Sequence, residues 1–233
     1  CMLDSGKYAG GRLVKPATWK EMFKPQVMVT ESQFYPTAEL TKPNWMTYGL
    51  AWFQQDYNGK KVNYHTGSLA GETAIHGQLP DSKLAIYIFG NYDHAEVRHA
   101  LMFKAFDLFG TGGTRDWSAE FHKLYTNIQA GEQKNDVKLE SSRVLNTKPS
   151  LTLDDYTGRY TDPLNGELVI TKENNELVLV ANDHAKAHVS HWHYDTFRGW
   201  YDKRWHGKST VSFTMNPNGK LATVNFDGLV FKR

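Results

Sequence analysis

From residue 45 onward, apolar and polar positions alternate in short runs separated by turn residues. Residues 45–56 and 61–65 read as strands on either side of Asn58-Gly59, a pair suited to a two-residue hairpin because both positions must take positive φ. Residues 71–79 and 83–90 add two strands joined by Pro80-Asp81-Ser82, so this stretch predicts an antiparallel meander. The period then lengthens. Residues 95–109 place Val97, Ala100, Leu101, Lys104 and Leu108 on one helical face, with Phe103 and Phe109 adjoining. Lys104 interrupts that face, but its aliphatic stem can lie along it. Gly110-Thr111-Gly112-Gly113 ends the helix. Residues 114–136 predict a second helix, with Trp117, Phe121, Leu124 and Ile128 spaced at three and four.

Residues 137–150 are polar and of mixed charge, include Thr147-Lys148-Pro149-Ser150, and read as a flexible connector. Beyond Leu151 the chain turns to short strands at 167–170, 177–180, 211–215 and 222–226. Between them lie the turn signals Asn165-Gly166, Asn174-Asn175, Asn216-Pro217-Asn218-Gly219 and Asp227-Gly228. Strands at that spacing predict a small antiparallel sheet or barrel. The organisation expected is α+β: a sheet with packed helices over residues 1–136, a linker over 137–150, and an all-β, barrel-like domain over 151–233.

Composition narrows the function classes. The 233 residues suffice for one large or two small domains, and 40% hydrophobic with 22% charged residues is ordinary globular usage. A net charge of +2 is too small to argue for nucleic acid. No apolar run approaches the roughly 20 residues that span a bilayer. The single cysteine allows neither an internal disulfide nor a Cys-rich zinc site. Aromatics at 13% suit β-rich domains and carbohydrate-like or peptide-like ligands equally.

The chemistry concentrates in Tyr64-His65-Thr66-Gly67-Ser68-Leu69-Ala70-Gly71, followed by the apolar run at 84–89 and then Gly90-Asn91. A basic residue, a small hydroxyl and a glycine in that order, on a strand edge facing a cleft, can hold a carboxylate or an acyl oxygen. The backbone lies bare at the glycine. This segment resembles the Lys-Thr-Gly third motif of serine β-lactamases and penicillin-binding proteins, with His65 in the lysine position. The resemblance continues in Asp4-Ser5-Gly6-Lys7-Tyr8-Ala9-Gly10-Gly11-Arg12-Leu13-Val14, similar to the family's glycine-rich turn. Lys15-Pro16-Ala17-Thr18-Trp19-Lys20-Glu21-Met22 continues that turn into a short helix. Tyr48-Gly49-Leu50-Ala51-Trp52 resembles the strand before the motif, and Gly71 stands at the family's closing turn glycine. It covers residues 1 to about 113. Further on, Tyr156-Thr157-Gly158-Arg159-Tyr160, His191-Trp192-His193-Tyr194-Asp195-Thr196-Phe197, Phe213 with Gly219-Lys220, and the closing Phe231-Lys232-Arg233 resemble the lipocalin-like accessory domain that follows many such hydrolases.

The resemblance implies the C-terminal portion of a β-lactamase-like sheet, acyl-enzyme hydrolysis of esters, amides or D-amino acid peptides, and no cofactor or metal. It casts His65 and Thr66 as catalytic and Gly67 and Ser68 as substrate-binding. His65 would orient an acyl carboxylate or relay a proton. Thr66 would lend a hydroxyl to substrate. Ser68 would lend its backbone N–H to an oxyanion, against the plain reading of an ordinary strand serine. Histidine in place of lysine carries less positive charge at neutral pH, which favours ester or peptide substrates over a β-lactam carboxylate.

No serine is followed by lysine three residues on, so the family's Ser-x-x-Lys nucleophile is not in this sequence. Tyr125-Thr126-Asn127 has the form of the second motif but follows His65-Thr66-Gly67 instead of preceding it. Gly67-Ser68-Leu69-Ala70-Gly71 has its serine in the wrong place for a nucleophile elbow. The expectation is therefore the C-terminal part of a serine hydrolase, inactive in isolation. Its partners would be the upstream part of the same protein and a small-molecule or peptide substrate. A periplasmic or secreted setting follows from resemblance alone. Cys1-Met2-Leu3 reads as the end of a helix stopped by Gly6, not as a lipidated cysteine on a polar tether. The second reading is a non-catalytic protein that binds a peptidoglycan-like or lipid ligand in its C-terminal β domain. His184, His188, His191 and His193 lie close together. Aromatic packing with loop hydrogen bonds, a metal held by His191 and His193, and ligand contact all stay open for them.

Overall fold

The structure is a computed structural model that describes residues 1–69, 71–92 and 96–233. The chain forms two compact units, Cys1–Gln133 and Lys134–Arg233. The protein is α+β, with a sheet and helices followed by a closed antiparallel barrel.

The first unit opens with a two-stranded ribbon, β1 (Lys7–Tyr8) and β2 (Gly11–Arg12), and a short helix, α1 (Pro16–Met22). A six-stranded antiparallel sheet follows in sequence order: β3 (Val27–Met28), β4 (Met46–Tyr48), β5 (Phe53–Tyr57), β6 (Lys60–Leu69), β7 (Glu72–Leu79) and β8 (Leu84–Gly90). A one-turn helix, α2 (Ala38–Thr41), lies between β3 and β4. The β5–β6 hairpin turns at Asn58 and Gly59, with φ of 48° and 72° and Tyr57 facing Lys60, as the sequence predicts. The stretch 45–56 is two strands, not one. β4 stops at Tyr48 and β5 begins at Phe53 because Ala51 adopts φ of 65°, a left-handed conformation no strand contains. Of Tyr48-Gly49-Leu50-Ala51-Trp52, only Tyr48 belongs to a strand, and the rest is a tight connection.

Behind the sheet lie α3 (Val97–Phe106), continued by a wider turn over Asp107–Thr111, and α4 (Trp117–Ser141). The buried face of α3 shares Ala100 and Phe103 with the expected one and is otherwise rotated from it. His99, Met102, Phe103 and Phe106 are buried, whereas Val97, Leu101, Leu108 and Phe109 are about half to three-quarters exposed. Both stripes have helical spacing. The polar pair Arg98-His99 hid the true one, because both residues are buried against partners. Asp107, fully buried, fastens the layers: Tyr57 Oη and Trp117 Nε1 each donate to it at 2.7 Å, and Thr111 Oγ1 at 2.8 Å. Ala95, the first residue of the expected helix, lies outside the described residues.

α4 extends to Ser141, into the stretch read as a connector. The residues after it bond to their own unit: Arg143 Nε donates to the Trp192 carbonyl at 2.8 Å, and Ser150 N to Asp195 Oδ1 at 2.8 Å. The second unit is an eight-stranded closed barrel: β9 (Gly158–Asp162), β10 (Gly166–Glu173), β11 (Glu176–Ala181), β12 (Ala185–His193), β13 (Thr196–Tyr201), β14 (Lys208–Met215), β15 (Leu221–Phe226) and β16 (Leu229–Lys232). Closure removes free strand edges. Its interior is filled by Tyr156, Tyr160, Leu168, Leu179, Phe197, Phe213, Phe231 and their neighbours, all at most 6% exposed. Eight strands leave room inside for side chains of this size, and here those side chains occupy it.

Candidate functional site

The motif strand β6 is longer than its neighbour β5. β5 pairs with it only as far as Phe53 opposite Tyr64, while β7 follows it to Leu69 opposite Glu72. Among the described residues, no strand pairs with that edge of β6 from His65 to Leu69. Alternation sends successive side chains to opposite faces. Val62 and Tyr64 join the core with α3, so His65, Gly67 and Leu69 point the other way. Register then sets His76, Ala74 and Glu72 beside them on β7, and Tyr87 and Phe89 beyond on β8. These residues, with Trp52, line a cavity of about 1050 Å³.

The wall is aromatic. Ring centroids step from Trp19 to Phe23 (4.9 Å), Phe23 to Trp52 (5.0 Å), Trp52 to His76 (5.0 Å) and His76 to Tyr87 (3.8 Å, nearly parallel). Burial disfavours the imidazolium of His76 and lowers its pKa to about 4, so the ring is neutral at neutral pH. Leu69, Tyr87 and Phe89 are 74%, 58% and 77% exposed, an apolar patch of the kind that meets a ligand or another surface. Deeper on the same face, polar side chains satisfy one another. Thr47 Oγ1 donates to Gln54 Oε1 at 3.1 Å, and Gln54 Nε2 donates to the Phe23 carbonyl at 2.8 Å and to Asn63 Oδ1 at 3.2 Å.

His65 and Gly67 come together on the cleft face, and both are exposed. Thr66 and Ser68 border the cavity along the strand edge, but their hydroxyls are engaged elsewhere. Arg98 Nε donates to Thr66 Oγ1 at 2.6 Å, and Thr66 donates to the Ala74 carbonyl at 3.0 Å. Ser68 Oγ lies 3.3 Å from Thr73 Oγ1. The hydroxyl that Thr66 was to lend to substrate is thus held by a buried arginine, because a residue next to a cleft-facing His65 must face away. Behind Thr66, Arg98 Nη2 donates to Glu96 Oε1 at 3.1 Å, and His99 Nδ1 lies 3.0 Å from Glu96 Oε2. Burial pushes the Glu96 pKa up, but His99 and the Arg98 cation outweigh it and hold the carboxyl below its usual range. Gly71 has φ of 85°, the turn geometry that favours glycine. Ala70 lies outside the described residues.

Sequence reasoning missed His76, Tyr87 and Arg98. The first two were accessible: pairing Leu69 with Glu72 places His65 opposite His76, and a short β7–β8 connection carries the register to Tyr87. Tyr125-Thr126-Asn127 lies within α4. On the barrel, His191 Nε2 is 2.9 Å from the Tyr194 carbonyl, and His193 Nδ1 accepts from Val144 N at 3.2 Å. A register shift between them breaks the strand spacing that would have paired them on one face. Among the described residues no group of three metal-ligating side chains gathers.

Residues 142–232, which span the barrel, match a family described as a domain of unknown function, DUF3471, a C-terminal domain of β-lactamase/penicillin-binding-protein-like proteins. No curated protein matches the chain. Among solved structures, it is similar to the octameric penicillin-binding protein homologue from Pyrococcus abyssi, at 14% identity and a TM-score of 0.40, over 99% of this chain and 44% of that one. It is also similar to SurE in a crystal structure with D-Leu, at 16% identity and a TM-score of 0.33, over 94% of this chain and 44% of that one. The chain thus spans less than half the length of either.

Proposed function

We propose that this chain supplies the third-motif side of a serine hydrolase site of the β-lactamase/penicillin-binding-protein-like type. The observation that carries the reading is the unpaired edge of β6, where His65 and Gly67 face an aromatic-walled cleft. Such an edge accepts an extended substrate backbone, with Gly67 allowing close approach. The barrel's match to a C-terminal domain of that family supports the same reading.

On this account a serine outside these residues attacks the carbonyl of an ester, amide or peptide, expels the leaving group, and is released by water. His65 orients the acyl group or carries a proton at the cleft edge. Ser68 contributes through its backbone alone, since its hydroxyl is turned to Thr73. Thr66 holds the strand in place through Arg98. The setting proposed is outside the cytoplasm; no helix among the described residues is long and apolar enough to cross a membrane.

The isolated chain, mixed with a p-nitrophenyl ester, is expected to give only background hydrolysis. Within the complete protein, His65→Ala is expected to lower kcat/KM about 100-fold, the scale of a general acid–base contribution. Turnover by the isolated chain, or full activity of the His65→Ala protein, contradicts the reading.

A further inference from the structure

The barrel also carries a hollow on its outer wall. There, β12, β13 and β14 with the end of α4 enclose a cavity of about 630 Å³, within the range of small-ligand sites. Cations stand over its tryptophans. The Arg204 guanidinium lies 4.9 Å from the Trp200 ring centroid, Lys208 Nζ lies 5.5 Å from it, and Arg198 lies 5.6 Å from the centroid of Trp192.

Three details separate this wall from ordinary surface. Trp200 is 42% exposed although two cations flank it. Trp192 is 6% exposed, and its buried indole Nε1 has no hydrogen-bond partner among the described residues, a donor that costs free energy until something accepts from it. Glu140 takes up Lys208 at 2.9 Å and Arg198 at 3.4 Å. Arg204, by contrast, has no carboxylate within ion-pair distance among the described residues and is exposed. The wall thus offers a half-exposed tryptophan ring beside a guanidinium that no carboxylate holds among the described residues.

We propose that this cavity binds a short saccharide carrying a single carboxylate. The Trp200 ring receives the apolar face of a sugar. Arg204 pairs with the carboxylate in the fork geometry that suits guanidinium. His188 and Asp202, paired at 2.9 Å at the rim, exchange hydrogen bonds with hydroxyls. The carboxylates of Glu140, Glu176 and Asp202 on the same wall favour this ligand over a nucleic acid. They accept from hydroxyls but repel a phosphate backbone, whose binding rests on neutralising many charges.

The test is tryptophan fluorescence of the full chain, titrated with a disaccharide that joins one uronate to one neutral sugar, and with the matching neutral disaccharide. The uronate is expected to give a saturable change, and the neutral sugar to bind at least about tenfold more weakly, the scale of one charge-assisted contact. Arg204→Gln is expected to erase that preference, and Trp200→Ala to abolish binding, both with an unchanged circular dichroism spectrum. Arg204 is exposed, so its variant reports on the ligand even if Trp200→Ala disturbs the barrel. No saturable response to either sugar, equal affinity for both, or undiminished preference in Arg204→Gln overturns the proposal. Preference for a single-stranded oligonucleotide over the uronate also overturns it.

Discussion

At Gly67 the fold and the cleft make separable demands. A Cβ added there meets nothing within 4 Å, so Gly67→Ala is expected to leave stability within about 0.5 kcal/mol. The same methyl stands on the cleft face beside His65, and is expected to reduce substrate or probe uptake in the complete protein. A urea titration and a labelling rate measured side by side separate the two effects. Gly199 is the opposite case. A Cβ there lies 1.9 Å from the His188 carbonyl oxygen and 2.7 Å from Val189 Cα, both backbone atoms that cannot step aside. Gly199→Ala is expected to destabilise the barrel by more than about 3 kcal/mol, read as a drop in its thermal midpoint. The sequence made His65 and Gly67 legible as a pair because residue type and order carry that chemistry. It made Thr66 legible only in part. The alternation that exposes His65 also turns the Thr66 hydroxyl away, and its partner Arg98 stands 32 positions later, on a helix whose buried polar residues periodicity does not mark.

The elements were recovered where local signals agree and lost where tertiary contact decides. Asn58-Gly59 set its hairpin because two positive φ values leave few alternatives. Helix α3 was found but rotated: its burial of Arg98 and His99 depends on Glu96 and Thr66, which periodicity does not see. The β7–β8 hairpin carries a pH dependence through His76, whose ring stacks on Tyr87. Its pKa falls from 6.5 to about 4 on folding because burial disfavours the charged ring. Between those values the unfolded chain binds a proton that the folded chain refuses. This contribution is therefore complete above pH 6.5 and is lost progressively as pH falls toward 4. Denaturant midpoints of the first unit measured at pH 7, 5.5 and 4.5 are expected to decline, and His76→Phe, which keeps an aromatic ring on Tyr87, is expected to flatten the decline. An equal decline in the variant would assign it to other groups.

At the scale of the whole molecule, two units carry two kinds of surface. The first presents a strand edge unpaired among the described residues and an apolar cleft; the second is a closed barrel with a packed interior. The α+β class and the barrel were readable from turn spacing, because short strands between Asn-Gly-type turns favour antiparallel closure. That the barrel is packed was not readable, since a strand pattern does not say whether facing side chains meet across the interior. On the function proposed, His65 and Gly67 line a site whose nucleophile lies elsewhere in the complete protein. The most direct measurement is to label the natural gene product with a fluorophosphonate and locate the adduct by peptide mass spectrometry. The predicted result is one modified serine, outside these 233 residues and followed three positions later by lysine, with slower labelling in Gly67→Ala. An adduct on a serine within this chain, or no adduct at all, would contradict it.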